Sequence, residues 1–297
     1  MPRIRICYDV PGWAYHRRAQ ALQKYAPPGW DVTIGGDYGR AFKEKPHDLV
    51  MQLCYPYAQP IWEHITRAGY KMKLIVGFNV AFEQEREWFR KAQKYGDWVI
   101  CNSKMCWEQS GKQPRTSWIS NGVDREVFKI ETPISQRKPR VLWVGSTFHR
   151  ANKGYDSILR PLALKLQQEH GIESELLLTD SHGKGRRRPH EMASWYNTGT
   201  IYLCASQREG TPNPALEAAS CGCVVVSTPV GNMPELIEDG INGRLVARDV
   251  DTLVDAIVSS QEQYAEMAEA MQERIESWHW KYRAPKYFDL FKQVLNW

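Results

Sequence analysis

Short apolar segments of strand length alternate with stretches of helical period along this chain, and the alternation stops and restarts once. In the first half, residues 5–10, 31–34, 49–54, 73–80, 98–101 and 117–120 read as strands. Residues 13–25, 61–68 and 83–95 read as helices between them. Residues 132–139 are polar, contain Pro133 and Pro139 and break the pattern, so the linker is expected there. Strands then recur at 140–144, 174–179, 200–205, 224–227 and 244–246. Helical stretches recur at 155–169, 190–196, 234–237, 250–259, 261–277 and 282–295. Parallel neighbours need a crossover, and a helix supplies it. The pattern therefore predicts an α/β chain with two doubly wound parallel sheets. The expected domains are 1–131 and 139–280, with a final helix over 281–297 packing back on the first.

The bulk numbers agree with a soluble globular chain of two domains. There are 297 residues, 42% hydrophobic and 25% charged. The longest apolar runs are strand-length and far short of a membrane span. Met1–Arg5 leads into a strand with no secretion signal ahead of it. Seven scattered cysteines lack metal-ligand spacing and read as reduced, buried thiols. A cytoplasmic location is the expectation. A formal charge of +5 is too small to establish nucleic-acid binding.

One stretch carries chemistry: Arg208-Glu209-Gly210-Thr211-Pro212-Asn213-Pro214-Ala215-Leu216-Glu217. It follows a strand and opens a helix. Asn213 is the expected N-cap, Pro214 the first helical residue and Gly222 the stop. Amides of such a turn, beside a helix N-terminus, favour a phosphate. Glu209 and Glu217 bracket the turn with seven residues between them. Glu217, one turn into the helix, can accept hydrogen bonds from paired hydroxyls.

These residues, followed by Ala218-Ala219-Ser220-Cys221-Gly222-Cys223 and Val224–Ser227, resemble the retaining glycosyltransferases of the GT-B fold, of the large family 4 kind. The likeness continues through Thr228–Ile237 and Asn242–Val246, and includes Val144-Gly145, Lys153-Gly154, and Asn121–Asp124 with Phe128. It is strong over 139–247 and weaker before. The resemblance implies two Rossmann-like domains facing across a cleft, the last helix crossing back to the first. It also implies a nucleotide-sugar donor, commonly UDP-glucose, with no metal and no cofactor. Donor contacts would come from Gly145, Ser146, Lys153, Asp180, Gly210, Thr211, Pro212, Asn213 and Glu217. Glu209 would hold the transferred sugar, and Lys153 the departing diphosphate. The family usually has an arginine where Ser146 stands, and Arg150 would reach the phosphate in its place.

Acceptor contacts are expected from the loop and helix start at Gly12, Trp13, His16 and Arg17, with Arg18 beside them, and from Arg187 in the basic stretch 180–188. His16 reads equally well as a surface helix residue. Glu83 is a weaker candidate, and Asp249-Val250-Asp251 reads as helix capping rather than a metal motif. Basic residues among aromatic ones suit a polyanion, so double-stranded DNA bearing a 5-hydroxymethylpyrimidine is the favoured acceptor. A glycan or lipid-linked saccharide is the close alternative. A non-catalytic nucleotide- or DNA-binding module is the reading from another class. An isomerase or phosphorylase on the same scaffold ranks below these. Nothing in the sequence fixes an oligomeric state.

Overall fold

A computed structural model describes residues 1–36, 47–80, 85–180 and 187–296. The chain divides into two compact units, Met1–Gly122 with Trp280–Trp297, and Val123–His279.

The first unit holds strands β1 (Arg3–Cys7), β2 (Asp31–Gly35), β3 (Leu49–Gln52), β4 (Lys73–Phe78), β5 (Trp98–Cys101) and β6 (Thr116–Trp118). All pair in parallel, in the order β2-β1-β3-β4-β5-β6. Helices α1 (Ala14–Lys24), α2 (Ala58–Arg67), α3 (Arg86–Tyr95) and α4 (Lys104–Gln109) make the crossovers. Side chains alternate across each strand, so the sheet has two buried faces. Ile4, Ile6, Met51 and Ile75 pack with Leu22 of α1 and with Tyr287, Phe288 and Phe291 of the C-terminal helix. Val50, Leu74, Val76 and Val99 pack on the opposite face with Ile61 of α2 and Phe89 of α3. The first strand is shorter than its apolar pattern, because residues after Cys7 turn into the loop before α1.

The second unit holds β7 (Arg140–Ser146), β8 (Glu173–Thr179), β9 (Ile201–Cys204), β10 (Val224–Ser227) and β11 (Gly243–Leu245). These are again parallel, ordered β11-β10-β9-β7-β8. Its helices are α5 (Arg150–Lys153), α6 (Arg160–His170), α7 (Pro189–Tyr196), α8 (Asn213–Ser220), α9 (Met233–Leu236), α10 (Val250–Glu262) and α11 (Tyr264–Glu276). One face of the sheet packs α7, α8 and α11, the other α6 and α10. The expected helix at 155–169 begins with a π-helical turn over Tyr155–Leu159, directly after Gly154 at φ 71°. Gly154 can take that conformation because it has no Cβ.

Two stretches behave differently from their sequence impression. Val123 and Phe128 lie in the core of the second unit. The polar segment 132–139 is pinned to the same unit by Arg137, which donates to the carbonyls of Thr132, Gly199 and Cys221 and to Asn197 Oδ1. The C-terminal helix α12 (Trp280–Leu295) is part of the first unit, as expected for the GT-B fold.

Candidate active site

In the second unit, three loops at the carboxyl ends of β7, β9 and β10 assemble one constellation. Doubly wound sheets bind ligands at this end. After β7, Ser146 Oγ accepts from Phe148 N at 3.2 Å and caps a short 3-10 turn, which leads into α5. Lys153 closes α5. Its Nζ lies 2.5 Å from Oε1 of Glu209, which follows β9. Both side chains are mostly covered, at 15% and 13% exposure, so water screens the pair weakly. Burial, the largest influence, lowers the Lys153 pKa, but Glu209 and Cys204 together outweigh it and the net shift is upward. Lys153 is therefore a fixed cation at any physiological pH. His149 shifts the other way, first through burial and then through Lys153, and is held toward its neutral form.

Eight residues beyond Glu209, Glu217 sits buried in α8. Its Oε2 accepts from Tyr196 Oη at 3.0 Å. Burial, reinforced by Glu217, raises the Tyr196 pKa, so the phenol stays protonated and donates. The helix begins at Asn213 with Pro212 as N-cap, one residue earlier than expected, and Pro214 takes the second position. Asn213 N donates to Thr211 O at 3.0 Å. Prolines carry no N–H. Pro212 and Pro214 therefore have no amide N–H to offer an anion, and Pro212 contributes shape only.

The third loop braces the segment after β9, and Arg248, beyond β11, braces it too. Gly231, at φ 55°, lies against Gly210; a Cβ there would stand 2.4 Å from the Gly210 carbonyl oxygen. Thr228 Oγ1 donates to Ser206 O at 2.7 Å, and Arg248 Nε donates to Ala205 O at 2.9 Å. Gly145 is fixed by a different constraint, because a Cβ would meet the Trp143 ring.

Other expected residues are placed elsewhere. Arg150 makes a two-toothed ion pair with Asp156, 2.6 and 2.5 Å, and lies over the Tyr155 ring. Its guanidinium is committed there in this structure. Arg187 reaches Glu175 at 3.9 Å and lies over the Trp195 ring. Asp180 stands one residue beyond β8. Residues 181–186 of the basic stretch, and Glu83, lie outside the described residues. Asp249 caps α10 by accepting from Thr252 N at 3.0 Å, and Asp251 pairs with Lys165. Among the described residues no cluster of three His, Cys, Asp or Glu is placed to hold a metal ion.

In the first unit the loop after β1 brings Gly12, at φ 76°, to His16: Gly12 N donates to His16 Nδ1 at 2.7 Å. Burial lowers the His16 pKa, which keeps that nitrogen an acceptor. The His16 ring also stacks on Tyr8, 4.3 Å between centroids. Trp13 is the N-cap of α1, and its carbonyl accepts from Arg17 N. Arg18 corrects the sequence reading. It is 3% exposed and donates to Asn79 Oδ1 at 2.5 Å and Tyr287 Oη at 2.7 Å. A guanidinium enclosed in the core cannot grip a polyanion. Its spacing to the buried Ala21 and Leu22 is that of one helix face, and that was the available signal.

Comparison with known proteins follows this geometry. Residues 138–263 match the family model of glycosyl transferases group 1. D-inositol 3-phosphate glycosyltransferase of Frankia alni is 30% identical over 179 residues, covering 48% of this chain and 44% of that protein. Alpha-maltose-1-phosphate synthase of Mycobacterium tuberculosis is 30% identical over 109 residues, covering 33% and 28%. The chain thus spans less than half the length of these curated relatives. Among solved structures, sucrose-phosphate synthase of Thermosynechococcus elongatus superimposes with a TM-score of 0.76 at 16% identity, covering 100% of both chains. Anabaena HepE, in complex with UDP-glucose, superimposes at 0.74 with 15% identity, covering 99% and 100%. The chain has the two-domain GT-B fold and carries, over residues 138–263, a glycosyl transferases group 1 domain.

Proposed function

We propose that this chain is a glycosyltransferase whose second unit binds a nucleotide-sugar, a UDP-hexose by preference, and whose first unit presents the acceptor. The observation that carries the reading is the mostly covered Lys153–Glu209 pair at the carboxyl end of one parallel sheet, with Glu217 in the helix that follows Glu209. Glu217, oriented by Tyr196, accepts the ribose hydroxyls. Gly210 N–H, Thr211 N–H and Lys153 take the diphosphate, and Glu209 takes hydroxyls of the sugar. Transfer breaks the bond between the anomeric carbon and the diphosphate oxygen and forms one to the acceptor hydroxyl oxygen. The acceptor's proton leaves with the diphosphate. Negative charge grows on the departing oxygen, and a preorganised cation in a dry site lowers that barrier. The resemblance supports retention at the anomeric carbon and a reaction without metal. Seven free cysteines, three of them pushed by burial up to about 12, support a reducing, cytoplasmic setting.

For the acceptor, a saccharide or sugar phosphate is the reading best supported. One relative is named for acting on inositol 3-phosphate, and another for making a sugar phosphate, maltose 1-phosphate. A 5-hydroxymethylpyrimidine in DNA remains the second reading. One observation favours it: Lys91, Lys94, Lys104 and Lys112 lie over Trp88, Tyr95, Trp118 and Trp107 in and after α3 and α4, where a polyanion could compete with Glu87 and Glu108 for Lys91, Lys104 and Lys112. The test is incubation with UDP-glucose and each acceptor class, with mass spectrometry for a product heavier by one hexose. Gain on a sugar phosphate that disappears in Glu209→Ala supports the first reading. Gain on DNA alone, falling steeply with salt, supports the second. Donor that is neither bound nor consumed removes the enzymatic reading altogether.

A further inference from the structure

Lys153 and Glu209 are carried by different segments, and both have long side chains with several rotatable bonds. What sets their separation is the spacing of the two backbones. Asn152 governs that spacing. Its side-chain Nδ2 donates to Arg208 O at 2.9 Å. Its own carbonyl accepts from Gln207 N at 2.8 Å. That carbonyl is one of the last in the four-residue helix α5, where main-chain acceptors have no partner within the helix. One residue thus fastens the segment leading to Glu209 from two directions, immediately beside Lys153. Asn152 Oδ1 is buried with no hydrogen-bond partner, so this side chain is held in place at a cost.

We propose that Asn152 is a positioning residue for the Lys153–Glu209 pair, fixing where the sugar and diphosphate end of the donor meets its two charges. The inference rests on the donor-site reading above. Asn152 itself touches neither substrate. Its effect is confined to the half of the site that Lys153 and Glu209 form, and leaves Glu217, in α8, alone.

That locality supplies the test. Full-length wild type, Asn152→Ala, Asn152→Leu and Asn152→Gln are titrated with UDP and, separately, with uridine, and UDP-glucose turnover is measured below the onset of unfolding. Leu fills the same volume without a donor, and Gln keeps an amide. The expected result is UDP binding weakened about 10-fold and kcat lowered about 10-fold in Ala and Leu, the scale of losing preorganised geometry. Uridine binding stays at the wild-type value in both, and Gln recovers part of each loss. Equal weakening of UDP and uridine would mean a general packing defect and would overturn the inference. So would UDP binding and turnover unchanged in both Ala and Leu. A wild type that neither binds UDP nor consumes UDP-glucose overturns the donor-site reading, and this inference with it.

Discussion

The two units are built alike and spend their cations differently. Each is a parallel sheet with helices on both faces, and each places basic residues in the segment after its first strand. In the second unit, the cation beyond that strand, Lys153, is mostly covered and paired with one acidic partner, Glu209. In the first unit, Arg18 is enclosed and distributes its donors to Asn79 and Tyr287. Tyr287 passes the connection on by donating to Ile119 O at 2.9 Å. The same architecture therefore makes a charge available for chemistry in one case and consumes it in the core in the other. A basic residue after a sheet's first strand says nothing by itself about a ligand. What separates the cases is whether the partner is an ion that a substrate phosphate can replace or a set of neutral groups that close a core.

Substitutions should break this contrast in opposite ways. Lys153→Ala is expected to have the largest effect, lowering UDP-glucose turnover by a factor of about 10² to 10³ while the fold persists. Steady-state kinetics with circular dichroism checks both halves of that statement. Tyr287→Phe should do the reverse. It leaves Arg18 short of an acceptor and Ile119 O short of a donor, and should destabilise the first unit by about 1–3 kcal/mol in denaturant unfolding. Donor binding by the second unit should be unaffected below the transition.

Gly231→Ala should fall between these classes. A side chain there meets the Gly210 carbonyl, and the backbone already has a positive φ. A stability loss of about 1–2 kcal/mol is expected. It should come with weaker UDP binding, since Gly210 is displaced; calorimetry would show whether the two changes travel together. The smallest effect is the pH dependence from His149 and His16. Both have folded pKa values below the ordinary 6.5. Between the lowered values and 6.5 the unfolded chain binds more protons, so stability rises with pH there and is lost as pH falls through it. Thermal scans from pH 7.5 to pH 5 should show Tm dropping by about 2 °C from this source.

The order of strands and helices was legible because its signal is periodic and repeated. The roles of Glu209 and Glu217 rest on the proposal above, but the turn between them was legible because the strand before it and the proline-containing helix start after it are local signals. The helix α4 was not, since its six residues are too few to show a period. Tyr196, Asn152 and Gly231 were missed for another reason. Each acts through a neighbour distant in sequence: Tyr196 on Glu217, Asn152 on Arg208, Gly231 on Gly210. Such pairings exist only once the sheet order is known. Arg18 was misread because composition counts a charge without recording which side of a helix it occupies.

The return of α12 to the first unit has a consequence for how the protein is made. The face of the first sheet that carries Ile4, Ile6 and Met51 is covered by Tyr287, Phe288 and Phe291. Those residues leave the ribosome after every residue of the second unit. At ordinary elongation rates that interval is on the order of 10–30 s. During it the nascent first unit presents an unfinished apolar surface, and at its end the second unit has all of its own sequence before the first does. The amino-terminal half is thus the last to mature, and chaperones would meet the growing chain at that surface.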